Sequence, residues 1–305
     1  MTSPAPATRP SAPTFEGRPL PHPDEPVFDQ GLAFDVDTLI SRRQVLRALG
    51  YGAVGAGLVS VIGCMPGGAT AGPTSATPTG AATAAGSTFG AGVDACAEIP
   101  EETAGPFPGD GSNGPDILAE SGVVRSDIRS SFGSSTTVAA GVPLTIRLAI
   151  LDLAVDCAPL AGAAVYLWHC DQAGRYSMYS QGVQGENYLR GVQAAGADGI
   201  VTFSSVFPAC YQGRWPHIHF EVYPSLDAAR DVANKIATSQ VALPEDTCNL
   251  VYATAGYESS VQTMAGVSLS GDNVFGEDDG ERQIGTVTGT VAAGLTVDLA
   301  VPVSA

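Results

Sequence analysis

The alternation of apolar residues beyond position 141 constrains the fold of this chain most. Leu144, Ile146, Leu148 and Ile150 recur at every second position, with Thr145, Arg147 and Ala149 between them. Successive side chains of a strand point to opposite faces, so this spacing sets one apolar row against a core. Residues 163–168 read as the next strand after a turn at 159–162, and residues 200–203 follow the turn pair Asp198-Gly199. In residues 217–223, Ile218, Phe220 and Val222 face one way, and His217, His219 and Glu221 face the other. Residues 287–303 close the chain with an apolar, β-branched run, and residues 226–237 have some helical character. Short strands separated by turn signals give an all-β fold: a β-sandwich of mixed and antiparallel strands with long loops. No internal repeat is present.

That domain is expected over residues 96–305, behind a tail unable to form a core. Residues 1–40 are Pro-rich and are expected to be disordered. In residues 41–64, Ser41-Arg42-Arg43-Gln44-Val45-Leu46-Arg47 precedes an uncharged apolar and small-residue run at 48–63. The run falls short of the ~20 apolar residues that span a bilayer. A charged flank, a short apolar region and a small-residue exit read as a signal segment. Its adjacent arginines resemble the twin-arginine export signal. Val61-Ile62-Gly63-Cys64 resembles a bacterial lipobox, which would make an acylated Cys64 the sole membrane attachment. Residues 65–95 are mostly Ala, Gly, Thr, Ser and Pro, the composition of a flexible tether. The chain is thus expected to be exported, held on the outer face of the membrane as a lipoprotein or secreted.

A formal net charge of −17 repels phosphate backbones and disfavours nucleic-acid binding. Six cysteines are too few for a disulfide scaffold of 305 residues, yet they suit an exported protein.

Histidine carries the functional signal because there are only four: His22, His169, His217 and His219. His217 and His219 stand at i and i+2 on an expected strand, so both imidazoles share one face and can reach one metal. A pair of hydrogen-bonded histidines on a half-exposed strand is the plain alternative. For His169 the plain reading is a core histidine.

The surroundings of that pair narrow the choice. Trp168-His169-Cys170-Asp171 leads into Gly174-Arg175-Tyr176-Ser177, and Tyr211 and Arg214 precede His217-Ile218-His219-Phe220. Pro100-Glu101-Glu102-Thr103-Ala104-Gly105-Pro106-Phe107 and Val124-Arg125-Ser126-Asp127-Ile128 lie upstream. In this ordered set the chain resembles the intradiol ring-cleavage dioxygenases, relatives of catechol 1,2- and protocatechuate 3,4-dioxygenases. Only Gln212 and Gly213 separate Tyr211 from Arg214, a short form similar to the secreted, stand-alone branch of that family.

The resemblance implies that Tyr176, Tyr211, His217 and His219 bind a non-haem Fe(III). Two phenolates are hard anionic donors and favour the ferric ion, whereas the commoner oxygenase triad of two His and a carboxylate holds Fe(II). Arg214 would stabilise negative charge developing on the substrate. Gln240 aligns loosely with a supporting glutamine of the family. The implied substrates are an aromatic diol of the catechol type and O₂. Cleavage between the two hydroxylated carbons would give a muconate-type diacid. Family members often form oligomers, although nothing in the sequence identifies an interface. The competing class is a non-catalytic extracellular sandwich that binds a metal or another ligand. Whether Tyr176 and Tyr211 approach the histidines separates the enzyme from a sandwich that binds no metal. Iron-to-tyrosinate colour, absent with zinc, tests the iron in a sandwich that keeps a metal without the chemistry.

Five cysteines remain if Cys64 is acylated: Cys96, Cys157, Cys170, Cys210 and Cys248. If both tyrosines meet at one iron, Cys170 and Cys210 are drawn into one neighbourhood. Cys170–Cys210 is therefore the expected disulfide.

Overall fold

The computed structural model describes residues 96–305, together with a short antiparallel pair formed by β1 (Thr14–Phe15) and β2 (Arg18–Pro19). The chain divides into two units, Met1–Ala85 and Gly86–Ala305. The expected signal segment, tether and acylated Cys64, and also His22, lie outside the described residues. Among those residues no helix is long and apolar enough to cross a membrane.

The second unit is an all-β sandwich. One sheet contains β3 (Pro143–Asp152), β4 (Ala158–Pro159), β7 (Ile200–Val206), β10 (Thr286–Thr290) and β11 (Gly294–Val303). β3 is its centre, parallel to β11 and antiparallel to β4 and β7. The other sheet has the order β6 (Arg190–Ala194), β5 (Ala164–Trp168), β8 (His217–Tyr223), β9 (Ala237–Ala242), antiparallel throughout. Two short helices, α1 (Glu245–Tyr252) and α2 (Glu258–Met264), follow β9.

The alternation read from the sequence explains how the layers meet. Leu144, Ile146, Leu148 and Ile150 of β3 share one core with Val165 and Leu167 of β5 and with Ile218, Phe220 and Val222 of β8. The outer face of the four-stranded sheet is covered as well. Tyr166, Trp168, Val192 and Tyr223 pack there with Ile117, Leu118 and Val123 of the N-terminal segment. Every residue of β8 is therefore buried, and the face carrying His217 and His219 lies under protein rather than half-exposed.

Two expectations fail. Residues 226–237 form no α-helix: they hold the 3₁₀ turns Ala228–Arg230 and Val232–Asn234, separated by Asp231, whose carboxylate caps the second by accepting from Ala233 N–H, and Ala237 already opens β9. The disulfide joins Cys96 to Cys157, while Cys170, Cys210 and Cys248 are buried thiols. Cys170 packs with the outer face of the four-stranded sheet and Cys210 with the core between the sheets. Each thiol donates to a backbone carbonyl, Cys170 to Ala209 at 3.6 Å and Cys210 to Arg214 at 3.7 Å. Tyrosines can converge at their hydroxyl tips while the residues beside them turn into different layers.

The Cys96–Cys157 bond fastens the start of the segment that covers the outer face, and it spans 61 residues of sequence. For a loop of that length the chain-entropy relation gives about 4 kcal/mol. Cys96→Ser is accordingly expected to lower the melting temperature by several degrees without bleaching the metal site proposed below. An unchanged melting curve under strong reductant would show that the bond carries no stability.

Candidate metal centre

Tyr176 stands in the loop after β5, and Asp171 shapes that loop. One Asp171 carboxylate oxygen accepts from the Ala173 and Arg175 amides at 2.9 and 3.0 Å, and the other pairs with Arg175 at 2.8 Å. Tyr211 stands in the turn before β8, closed by an Arg214 N–H to Tyr211 C=O bond. The two loops touch at Gly174, whose φ is +79° and whose absent Cβ would lie 3.3 Å from the Tyr211 Cβ. Glycine there supplies both the left-handed backbone and the room for the second tyrosine.

These loops bring four donor atoms to one point. Tyr176 Oη is 3.4 Å from Tyr211 Oη and 3.4 Å from His217 Nε2. Tyr211 Oη is 3.1 Å from His217 Nε2, which in turn lies 3.0 Å from His219 Nε2. His217 donates its Nδ1–H to the Trp215 carbonyl at 2.5 Å, so its Nε2 lone pair faces the cluster. His219 is clamped differently: the indole of its cross-strand partner Trp168 stacks on it at 4.9 Å with a 5° interplanar angle. Its Nδ1 is buried without a hydrogen-bond partner among the described residues.

The donor set fits a metal ion. Donors about 2.1 Å from a shared ion stand about 3.0–3.4 Å apart at octahedral and tetrahedral angles, which are the spacings observed. Burial, reinforced by the Arg214 charge, lowers the His217 imidazole to about 3. Burial and then His217 depress His219 well below the usual histidine range. Both are therefore neutral imidazoles with lone pairs available. Burial also pushes the Tyr211 phenol up to about 12 and holds Tyr176 well above the ordinary tyrosine value. A bound cation reverses that preference, because it stabilises the phenolate directly. The described residues hold no group of three or more His, Cys, Asp and Glu side chains able to bind a metal. The metal-capable cluster is one of tyrosines and histidines.

Arg214 reaches the cluster from the turn that carries Tyr211. Its Nε donates to Asp272 at 3.0 Å and its Nη2 to the Gln240 side-chain carbonyl at 2.7 Å. Gln240 is a strand residue of β9, directly opposite His219, and its Nε2 donates to the Thr103 carbonyl at 3.0 Å. Burial acts to raise the Asp272 carboxyl, but Arg214 and the Trp215 and Val274 amides outweigh it and hold the group below its ordinary value. His169 lies elsewhere, 1% exposed, with Nδ1 on the Cys170 carbonyl and Nε2 on Ser205, each at 2.7 Å. It is a core histidine.

Several residues around the site carry no signal that sequence reasoning used. Asp272 sits in a Gly-Asp-Asn turn that could equally have been a solvated loop. Arg190, 1% exposed, spreads its guanidinium over the carbonyls of Phe107, Pro108 and Ser177, the Ser177 hydroxyl and the Tyr166 hydroxyl, at 2.6–3.1 Å. It ties the Tyr176 loop to the covering segment. That segment passes over the metal face at Gly105, φ +72°, whose absent Cβ would meet His219 Cε1 at 3.3 Å. Phe107 then packs on Tyr176 with ring centroids 4.8 Å apart.

Residues 113–218 match the family model described as Dioxygenase. Among solved structures, the chain is similar to an intradiol ring-cleavage dioxygenase from Tetranychus urticae, with 24% identity and a TM-score of 0.55. That match covers 68% of this chain and 95% of that one. It also matches the dioxygenase domain of a carbohydrate-binding fusion from Streptomyces sp. SirexAA-E at 21% identity and TM-score 0.41, covering 68% of this chain and 98% of that chain. Catechol 1,2-dioxygenase from Pseudomonas arvilla C-1 matches at 17% identity and TM-score 0.40, covering 68% and 62% respectively. No curated protein matches the sequence. The resemblance read from the motifs is thus met by the family match and by the fold.

Proposed function

We propose that the chain is an intradiol ring-cleavage dioxygenase that holds a non-haem Fe(III) through Tyr176, Tyr211, His217 and His219. The observation that carries this reading is the convergence of two phenol oxygens and two imidazole nitrogens at 3.0–3.4 Å in a buried cluster. A sandwich that binds no metal gives no reason for the tyrosines to approach the histidines. The family match supports dioxygenase chemistry.

When bound, the ferric ion would supply electron withdrawal from a coordinated diol, making the ring reactive toward O₂. The remaining work falls to side chains. The Trp215 carbonyl fixes the His217 tautomer, and Trp168 fixes the plane of His219. Asp272 and Gln240 hold the Arg214 guanidinium beside the cluster, where it would stabilise negative charge on the substrate. Phe107, Trp168 and the backbone at Gly105 exclude water from one side, which strengthens that charge interaction.

Export belongs to the same proposal, as a lipoprotein anchored at Cys64 or as a secreted enzyme. The Cys96–Cys157 disulfide supports it, because such bonds persist in oxidising compartments. The purified, iron-loaded protein is expected to be coloured by tyrosinate-to-iron charge transfer and to consume one O₂ per catechol, releasing a diacid. Iron binding without a visible band would remove the tyrosines from the site. A coloured protein inert toward simple catechols would leave a metal-binding sandwich.

A further inference from the structure

The carboxylate that pairs with Arg214 also reaches the backbone of the ligand strand. Asp272 is 5% exposed, and its two oxygens each accept two N–H donors. One oxygen takes the Val274 and Phe275 amides at 2.8 and 3.1 Å, which folds the turn after Asp272 onto the carboxylate. The other takes Arg214 Nε at 3.0 Å and the Trp215 amide at 2.7 Å. Phe275, fully buried, lies against the guanidinium, its ring centroid 5.9 Å from Arg214 Cζ.

Trp215 is where this network meets the proposed ligands. Its carbonyl accepts the Nδ1–H of His217 at 2.5 Å, and its indole donates to the Leu243 carbonyl at 2.9 Å. Pro216 follows, and a proline ring confines the residue before it to extended backbone. The Pro216 carbonyl is fixed in turn, accepting from the Leu243 amide at 3.0 Å. With its conformation so confined, Trp215 has its carbonyl aimed by whatever holds its amide. Asp272 holds it.

Resting on the metal-binding reading above, we propose that Asp272 is a positioning residue for the metal centre as well as for Arg214. By holding the Trp215 amide it aims the carbonyl that fixes the tautomer and ring orientation of His217. One carboxylate thus ties the cation that would act on the substrate to a histidine that would hold the metal. Groups directly behind a ligating histidine contribute about 10–100-fold in metal affinity or activity. Asp272 stands one bond further back, so the lower end, about tenfold, is expected.

The two roles can be separated. In Arg214→Ala the carboxylate keeps the Trp215 amide, so the metal centre should be unchanged. Arg214→Ala/Asp272→Asn removes both halves of the ion pair, so neither charge is left buried alone. Asparagine keeps one acceptor oxygen, which should stay with the Val274 and Phe275 amides, and turns its Nδ2, a donor, onto the Trp215 amide. The test is a ferric titration of the full chain in the wild type and both variants, following the visible band. Circular dichroism melts of the metal-free proteins accompany it. Arg214→Ala should match the wild type in affinity and band maximum. The double variant should bind iron about tenfold more weakly, with a displaced band maximum. The maximum reports the ligands of the folded fraction, so lost stability alone would not move it. A double variant with the affinity and band maximum of Arg214→Ala would overturn this role of Asp272 and leave the metal reading standing. A wild type that stays colourless with iron would remove the metal reading, and this inference with it.

Discussion

Tyr176→Phe is expected to lose the visible band and to bind ferric iron at least about a hundredfold more weakly. Residues that merely support a metal ligand already contribute 10–100-fold, so a direct donor should do more. The substitution isolates the donor atom. The phenylalanine ring keeps its packing on Phe107 and its edge contact with Tyr211. The lost Tyr176 Oη makes only long contacts, 3.4 Å to Tyr211 and 3.4 Å to His217. Its loss therefore costs the metal-free fold little. Burial makes the phenol reluctant to ionise despite the nearby Arg214 charge, and a bound cation would reverse that preference. Circular dichroism should show a native fold in a protein that no longer colours with iron. A full band in Tyr176→Phe would take the residue out of the site and leave Tyr211 as the single phenolate.

How much of this was legible in the sequence depends on the kind of residue. β8 is found at the bounds read from alternation, His217–Tyr223, because β-branched and aromatic residues at period two have no competing helical reading. β9 escaped notice because Ala-Thr-Ser-Gln-Val-Ala looks like a loop. It is a buried strand because its polar side chains find partners inside, Gln240 on Arg214 and Ser239 on Gln283. β6 was missed for a similar reason: Arg190 opens it, and only the tertiary fold supplies the carbonyls that occupy a buried guanidinium. The helical character of residues 226–237 is local, and Asp231 breaks it by capping a 3₁₀ turn instead. The four proposed ligands were readable because their chemistry is unusual and their order distinctive. Asp272 was not readable as a site residue, because an acidic residue in a loop carries no mark of whether the fold will bury it.

Arg214 separates substrate chemistry from metal binding, and Arg214→Ala is expected to keep iron and colour while turnover falls by about 10²–10³-fold. That is the cost of removing one preorganised group aimed at developing charge. The guanidinium is a plausible casualty of stability as well, since it is half of a buried ion pair with Asp272. Breaking such a pair commonly costs about 3–5 kcal/mol. Here the stranded carboxylate keeps three backbone donors, the amides of Trp215, Val274 and Phe275 at 2.7, 2.8 and 3.1 Å, so the loss should fall at or below the lower end of that range and leave a folded protein. Arg214→Lys should not restore turnover, because one ammonium cannot reproduce the planar fork that holds Asp272 and Gln240 together. The deciding measurements are iron content, visible spectrum and steady-state rates on the same preparations. Loss of iron in Arg214→Ala would make the residue a support of the Tyr211 turn, and unaltered turnover would show that its charge does not act on the substrate.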